Sequence, residues 1–198
     1  MQARHGSAGS VLLFLQLSYT SKPPQTVAIP KTFLPMQTFP IDALSVIARQ
    51  CIAVTSLQRF CRRHDIHHPA LSAFAEHVWK VAQAGPGDFA AWERGFASLA
   101  INGMGDPWPE DVRRAIPGPL LGPLMQLVQH VLETSASTWH GDDLPATRRQ
   151  LEAVLRICKQ HDVGVPALEL YAQQEAQLRG GWGATLTDAE LSAWKARI

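Results

Sequence analysis

From Pro40 onward, apolar residues recur at three-, four- and seven-residue steps, and proline or glycine closes each run. No other feature constrains the fold as much, because a stripe of that period buries one face of a helix and cannot be satisfied by a strand. Leu44, Ile47, Cys51, Val54 and Cys61 form one such stripe, behind Asp42, which is placed to cap a helix running to about Arg63. Val46, Ala53, Leu57 and Phe60 form a second stripe on the same segment, so this helix is expected to be central. Pro69 opens the next helix, with Leu71, Phe74, Ala75, Val78 and Ala82 inward and Gly85-Pro86-Gly87 as its stop. Further helices are predicted from Asp88, over Glu110–Ile116, from Leu120 to about Ser135 with Pro123 in the first turn, and from Pro145 to about His161. Pro166 is expected to start another, through Leu178, and Thr187-Asp-Ala-Glu190 has capping-box spacing for a last one. The expected class is all-α, a single multi-helix domain of seven or eight helices over residues 40–198.

Within that domain, residues 59–75 and 156–172 align without a gap at an offset of 97, with 8 identities in 17 positions. Arg59, Cys61, His64, Asp65, Pro69, Ala70, Leu71 and Ala75 match Arg156, Cys158, His161, Asp162, Pro166, Ala167, Leu168 and Ala172. The pattern reads as a duplicated helix–turn–helix corner, with repeat units near 42–83 and 144–179. Buried Cys near the first helix end, His bonded to the last carbonyls, Asp bonded to turn N–H groups and Pro setting the second helix are the expected roles.

Residues 1–39 differ, and read as an irregular extension. The first 40 residues hold five prolines and no acid. The run Val11–Leu17 is short for a secretory signal, only one Arg precedes it, and Leu17–Ser21 is a poor cleavage site. A short strand, an arm on the domain, or a translated upstream region with Met36 as the natural start remain as readings. From Met36 the chain carries 15 basic and 17 acidic residues, a net charge of −2. That balance does not suit a nucleic-acid partner, and no apolar run approaches the length of a membrane span. Three cysteines, all inside apolar segments, read as reduced thiols, which points to a cytoplasmic and, in overall character, bacterial protein.

Chemistry-bearing motifs are few. His64, His67 and His68 beside Asp65 are the candidate metal ligands, but the second copy has Gly164 and Val165 in place of His67 and His68. No helix-borne zinc motif, nucleophile elbow or phosphate loop is present, so no catalytic residue and no cofactor is assigned. Tryptophans in loops are favoured interface anchors, and two of them lie among acids. The candidate partner-binding residues are therefore Asp106, Trp108, Glu110 and Asp111 in one loop, and Trp139, Asp142 and Asp143 in the other. Aromatic anchors with an acidic rim suit a basic protein. The expected function is a non-enzymatic protein-binding module, with an immunity- or antitoxin-like inhibitor of a basic partner as one concrete member. A metal-dependent or small-ligand enzyme with a site at the His–Asp corners is the contrasting expectation, and a structural oligomerisation domain is the third.

Overall fold

The chain divides into two units, Met1–Met36 and Gln37–Ile198. The computed structural model describes residues 39–85, 88–138 and 143–198, so expectations for the N-terminal extension lie outside the described residues. Among the described residues every regular element is helical. There are eight α-helices: α1 (Val46–Arg63), α2 (Pro69–Trp79), α3 (Phe89–Gly95), α4 (Glu110–Arg114), α5 (Gly118–Ala136), α6 (Leu144–Gln160), α7 (Leu178–Gly181) and α8 (Asp188–Lys195). Short 3₁₀ segments extend or link them.

The two-striped helix is central, as its sequence requires. α1 packs against α2, α5 and α6, and α5 packs against α6. Ile47, Cys51, Ile52, Val54, Leu57 and Phe60 are fully or almost fully buried, together with Leu124, Leu127 and Val131 of α5 and Leu151, Val154 and Cys158 of α6. Two polar side chains of α1 find partners inside this core, although Gln50 Oε1 makes no hydrogen bond among the described residues. Gln50 Nε2 donates to Val131 O at 2.7 Å, and Thr55 Oγ1 lies 3.0 Å from Tyr171 Oη.

The start of α1 corrects one expectation. Asp42 lies inside a 3₁₀ turn, Ile41–Ala43, and Ser45 is the cap, its Oγ accepting from Ala48 N at 3.1 Å. Ile47 N also donates to Trp182 O at 3.2 Å. The turn after α7 therefore finishes what the local cap leaves open. Asp42 is freed to pair with Arg148 at 2.5 Å. Helix α5 begins earlier than its apolar pattern suggests, at Gly118, so Pro123 falls beyond the first turn.

Both His–Asp corners close with the same turn. Ile66 N donates to Cys61 O at 2.9 Å and Asp65 N to Arg62 O at 3.3 Å; Val163 N donates to Cys158 O at 2.9 Å and Asp162 N to Lys159 O at 3.3 Å. Asp65 (φ 53°) and Asp162 (φ 56°) supply the left-handed residue of this helix stop. The side-chain roles differ from expectation. Asp65 carries the turn's backbone strain, with its carboxylate on His67 at 2.9 Å, and His64 packs on Phe60 rather than bonding the last carbonyls. Cys158 is buried, while Cys61 is half-buried.

Downstream the two segments differ. After Pro69 comes the 11-residue α2, but after Pro166 only a 3₁₀ turn, Leu168–Tyr171, so the expected helix through Leu178 is absent. Gln173 accounts for the break: its Oε1 accepts from Ser45 Oγ at 2.6 Å and its Nε2 donates to Ala184 O at 2.9 Å. The chain is thereby drawn across the N-terminus of α1 instead of continuing a helix. Arg179 and Gly180 in α7 have left-handed backbone, and Gly181 and Gly183 follow at φ 93° and 85°. The Thr187–Glu190 capping box forms as its spacing predicts.

Candidate functional site

Loop 102–109 and α4 hold the first group of predicted partner-binding residues. Asn102 braces the loop twice: its Oδ1 accepts from Met104 N at 2.9 Å, and its Nδ2 donates to Asp106 Oδ2 at 2.7 Å. Gly103 and Gly105 make the tight path possible, at φ 77° and 94°. A Cβ on Gly103 would stand 3.0 Å from Leu132 Cβ, so the loop lies hard against α5.

The loop holds Met104 out, 50% exposed, and folds Trp108 in, 7% exposed. Trp108 belongs to the hydrophobic core. As a sequence it reads as an anchor for something else; in the structure its indole is a lid on the core and a support beneath the loop. A concavity of about 290 Å³ opens there, lined by Gly103, Gly105, Asp106, Trp108, Met125, Gln126 and Gln129.

The acids divide into spent and available. Glu110 is bonded to Arg113 and Arg114 within α4, and these bonds, with Arg113 the larger influence, hold its carboxyl below the usual range. Asp106 and Asp111 form no ion pair with Lys or Arg among the described residues; Asp111 faces His68 Nε2 at 3.6 Å. In the second group, Asp143 caps α6, accepting from Ala146 N at 2.9 Å, and stands 3.4 Å from Arg149. Trp139 and Asp142 lie outside the described residues.

The three candidate metal histidines diverge. His64 turns into the core, its ring centroid 4.7 Å from Phe60 and 6.1 Å from His161. His67 is exposed on Asp65. His68 caps α2, with Nδ1 accepting from Ala70 N at 3.1 Å. Among the described residues no group of three or more His, Cys, Asp or Glu side chains comes close enough to hold a metal ion. Burial pushes the thiols of Cys61 and Cys158 up to about 12, and that of Cys51 higher still, so all three are protonated at neutral pH.

Met104 is the feature sequence reasoning missed, since a Met between two glycines carries no stripe to show which way it faces. Trp79, Trp92 and Trp194 are buried in the core. No helix among the described residues is long and apolar enough to cross a membrane. No protein-family model matches the chain, and no curated protein or solved structure is significantly similar to it.

Proposed function

We propose that this chain is a helical protein-binding module that engages a basic partner through the 102–111 loop. One observation carries the reading: Met104 stands half-exposed on a doubly braced loop, between two glycines that line a concavity with Trp108 and with Asp106, which has no cationic partner among the described residues. Exposed methionine next to a concavity of mixed polar and apolar lining suits an adaptable protein contact. Asp106 and Asp111 supply the rim charge that steers a cationic partner. An immunity- or antitoxin-like inhibitor is the specific form favoured by this combination. The two corners, alike in their turn bonds, are read as copies of one ancestral unit whose second half was remodelled when Gln173 engaged Ser45.

The experiment is affinity capture from the source organism with the full chain and with a Met104→Asp/Asp106→Lys variant. The wild type is expected to retain a basic protein that the variant loses, at least tenfold, with an unchanged melting temperature. A partner retained equally by both proteins would refute the site.

A further inference from the structure

A second concavity, about 310 Å³, lies between the 3₁₀ turn at Ile41–Ala43, α1, the first turn of α6 and Gly181. Asp42, Arg49 and Arg148 are its charged lining, and Leu44, Leu144 and Pro145 form an apolar wall. Arg49 is the unusual member. Only 5% of its surface is exposed, and it forms no ion pair among the described residues. Its Nε donates to Ile41 O at 3.3 Å, and its Nη1 donates to Leu144 O at 3.0 Å and Thr147 Oγ1 at 2.5 Å. Nη2 makes no hydrogen bond among the described residues, and Arg49 lines the cavity. Burial lowers the pKa of this guanidinium and Asp42 raises it, as expected of a cation only partly compensated.

Arg148, on the cavity's other wall, differs from Arg49 in being exposed and paired with two carboxylates. Its Nη1 donates to Asp42 Oδ2 and its Nε to Glu152 Oε1, which leaves Nη2 without a partner among the described residues. Two guanidinium groups thus line a single cavity, each with one terminal nitrogen that makes no hydrogen bond among the described residues; Asp42 is the one carboxylate in the lining, and Glu152 holds Arg148 from outside it. A buried charge held only by neutral acceptors is costly, and a ligand that brings the missing anion recovers that cost.

We propose that this cavity binds a monocarboxylate, presented either by a small organic acid or by the C-terminus of a polypeptide. The lining charge is +1, two arginines against Asp42, which fits one negative charge better than a dianionic phosphate. Leu44, Leu144 and Pro145 offer the apolar contact for a short carbon chain. The volume sits at the small end of ligand sites, so the ligand is a few heavy atoms or one terminal residue. Nothing in this site depends on the 102–111 loop, so the two readings stand or fall separately.

The test is calorimetric titration of the full chain at matched ionic strength with sodium propionate, sodium chloride, and a short peptide with either a free or an amidated C-terminus. Saturable binding is expected for propionate or the free-terminus peptide, and not for chloride or the amide. Propionate alone would mark a free acid as the source of the carboxylate; a stronger free-terminus peptide would mark a chain end. Arg49 holds the fold together, so exposed residues carry the variants. Asp42→Asn removes a competing anion and is expected to tighten binding about fivefold, the size of one like-charge repulsion across a few ångströms of wet cavity. Arg148→Gln is expected to weaken binding about tenfold or more, as loss of a charge-assisted donor does. Absence of saturable binding, equal binding of the amide, or affinities indifferent to both variants would overturn the proposal.

Discussion

Replacing Gly183 with alanine tests whether the segment after α7 completes the start of α1. Gly183 has φ +85°, and a Cβ there would overlap Gln173 Oε1 and stand 2.6 Å from Ser45 Cβ and 2.7 Å from Ser45 Oγ. Three costs follow: about 1–2 kcal/mol for an L-residue in that backbone region, about 1–3 kcal/mol for overpacking, and about 1 kcal/mol for disturbing the Ser45 cap. Gly183→Ala should therefore lose about 3–6 kcal/mol, a large share of the stability of a domain this size. Gly180→Ala is the matched control. It has φ +65°, but a Cβ there would meet nothing within 4 Å, so only the backbone cost of about 1–2 kcal/mol applies. Urea denaturation of both variants, followed by far-ultraviolet circular dichroism, gives the difference directly. Equal losses at the two positions would show that the Ser45–Gln173–Gly183 contact does not hold the helix start.

Trp108→Ala should cost about 3–5 kcal/mol of stability because it empties a core position, and melting curves will show this without any partner present. Asp162→Gly should stabilise by about 0.5–1 kcal/mol, since glycine takes the left-handed turn position without strain; Asp65→Gly should gain less, because it loses the His67 contact. A loss of stability in both would mean that the aspartates bond more than they strain. The cysteines predict the alkaline limb of the stability curve. Their folded pKa values are raised by burial above the unperturbed 9.0, so the stability they contribute is complete below pH 9 and is lost as pH rises from there towards about 12. A Cys61→Ala/Cys158→Ala variant should flatten that decline in urea titrations across pH 8–11.

What could be read in advance follows from which interactions are local. The stripes of α1, α5 and α6, the Pro69 start and the Thr187–Glu190 box depend on residues within a few positions of one another, and each forms. The element after Pro166 does not form as read, although Pro-Ala-Leu repeats there, because Gln173 reaches a serine 128 positions away. Trp108 misleads for the same kind of reason: whether an indole in a proline-rich loop caps a core or faces outward depends on helices distant in sequence. Arg49 stands three residues before Ile52 on an apolar helix, so its position hints at burial, but the carbonyls that receive it come from segments the pattern does not connect. At the candidate site, the acids at 106, 110 and 111 are legible as one acidic cluster, whereas Glu110 is separable from the other two only once Arg113 and Arg114 are seen to close on it.

The most direct measurement of the central claim is site-specific photocrosslinking. A benzophenone side chain is placed at Met104 and, in a second protein, at Leu178, which is comparably exposed at 46% but lies far from the loop in sequence. Irradiated in extract of the source organism, the Met104 protein should form a covalent adduct with one basic protein, weakened by salt as rim-charge steering requires, and the Leu178 protein should not. Adducts formed equally at both positions, or at Leu178 alone, would contradict a partner-binding role for the 102–111 loop.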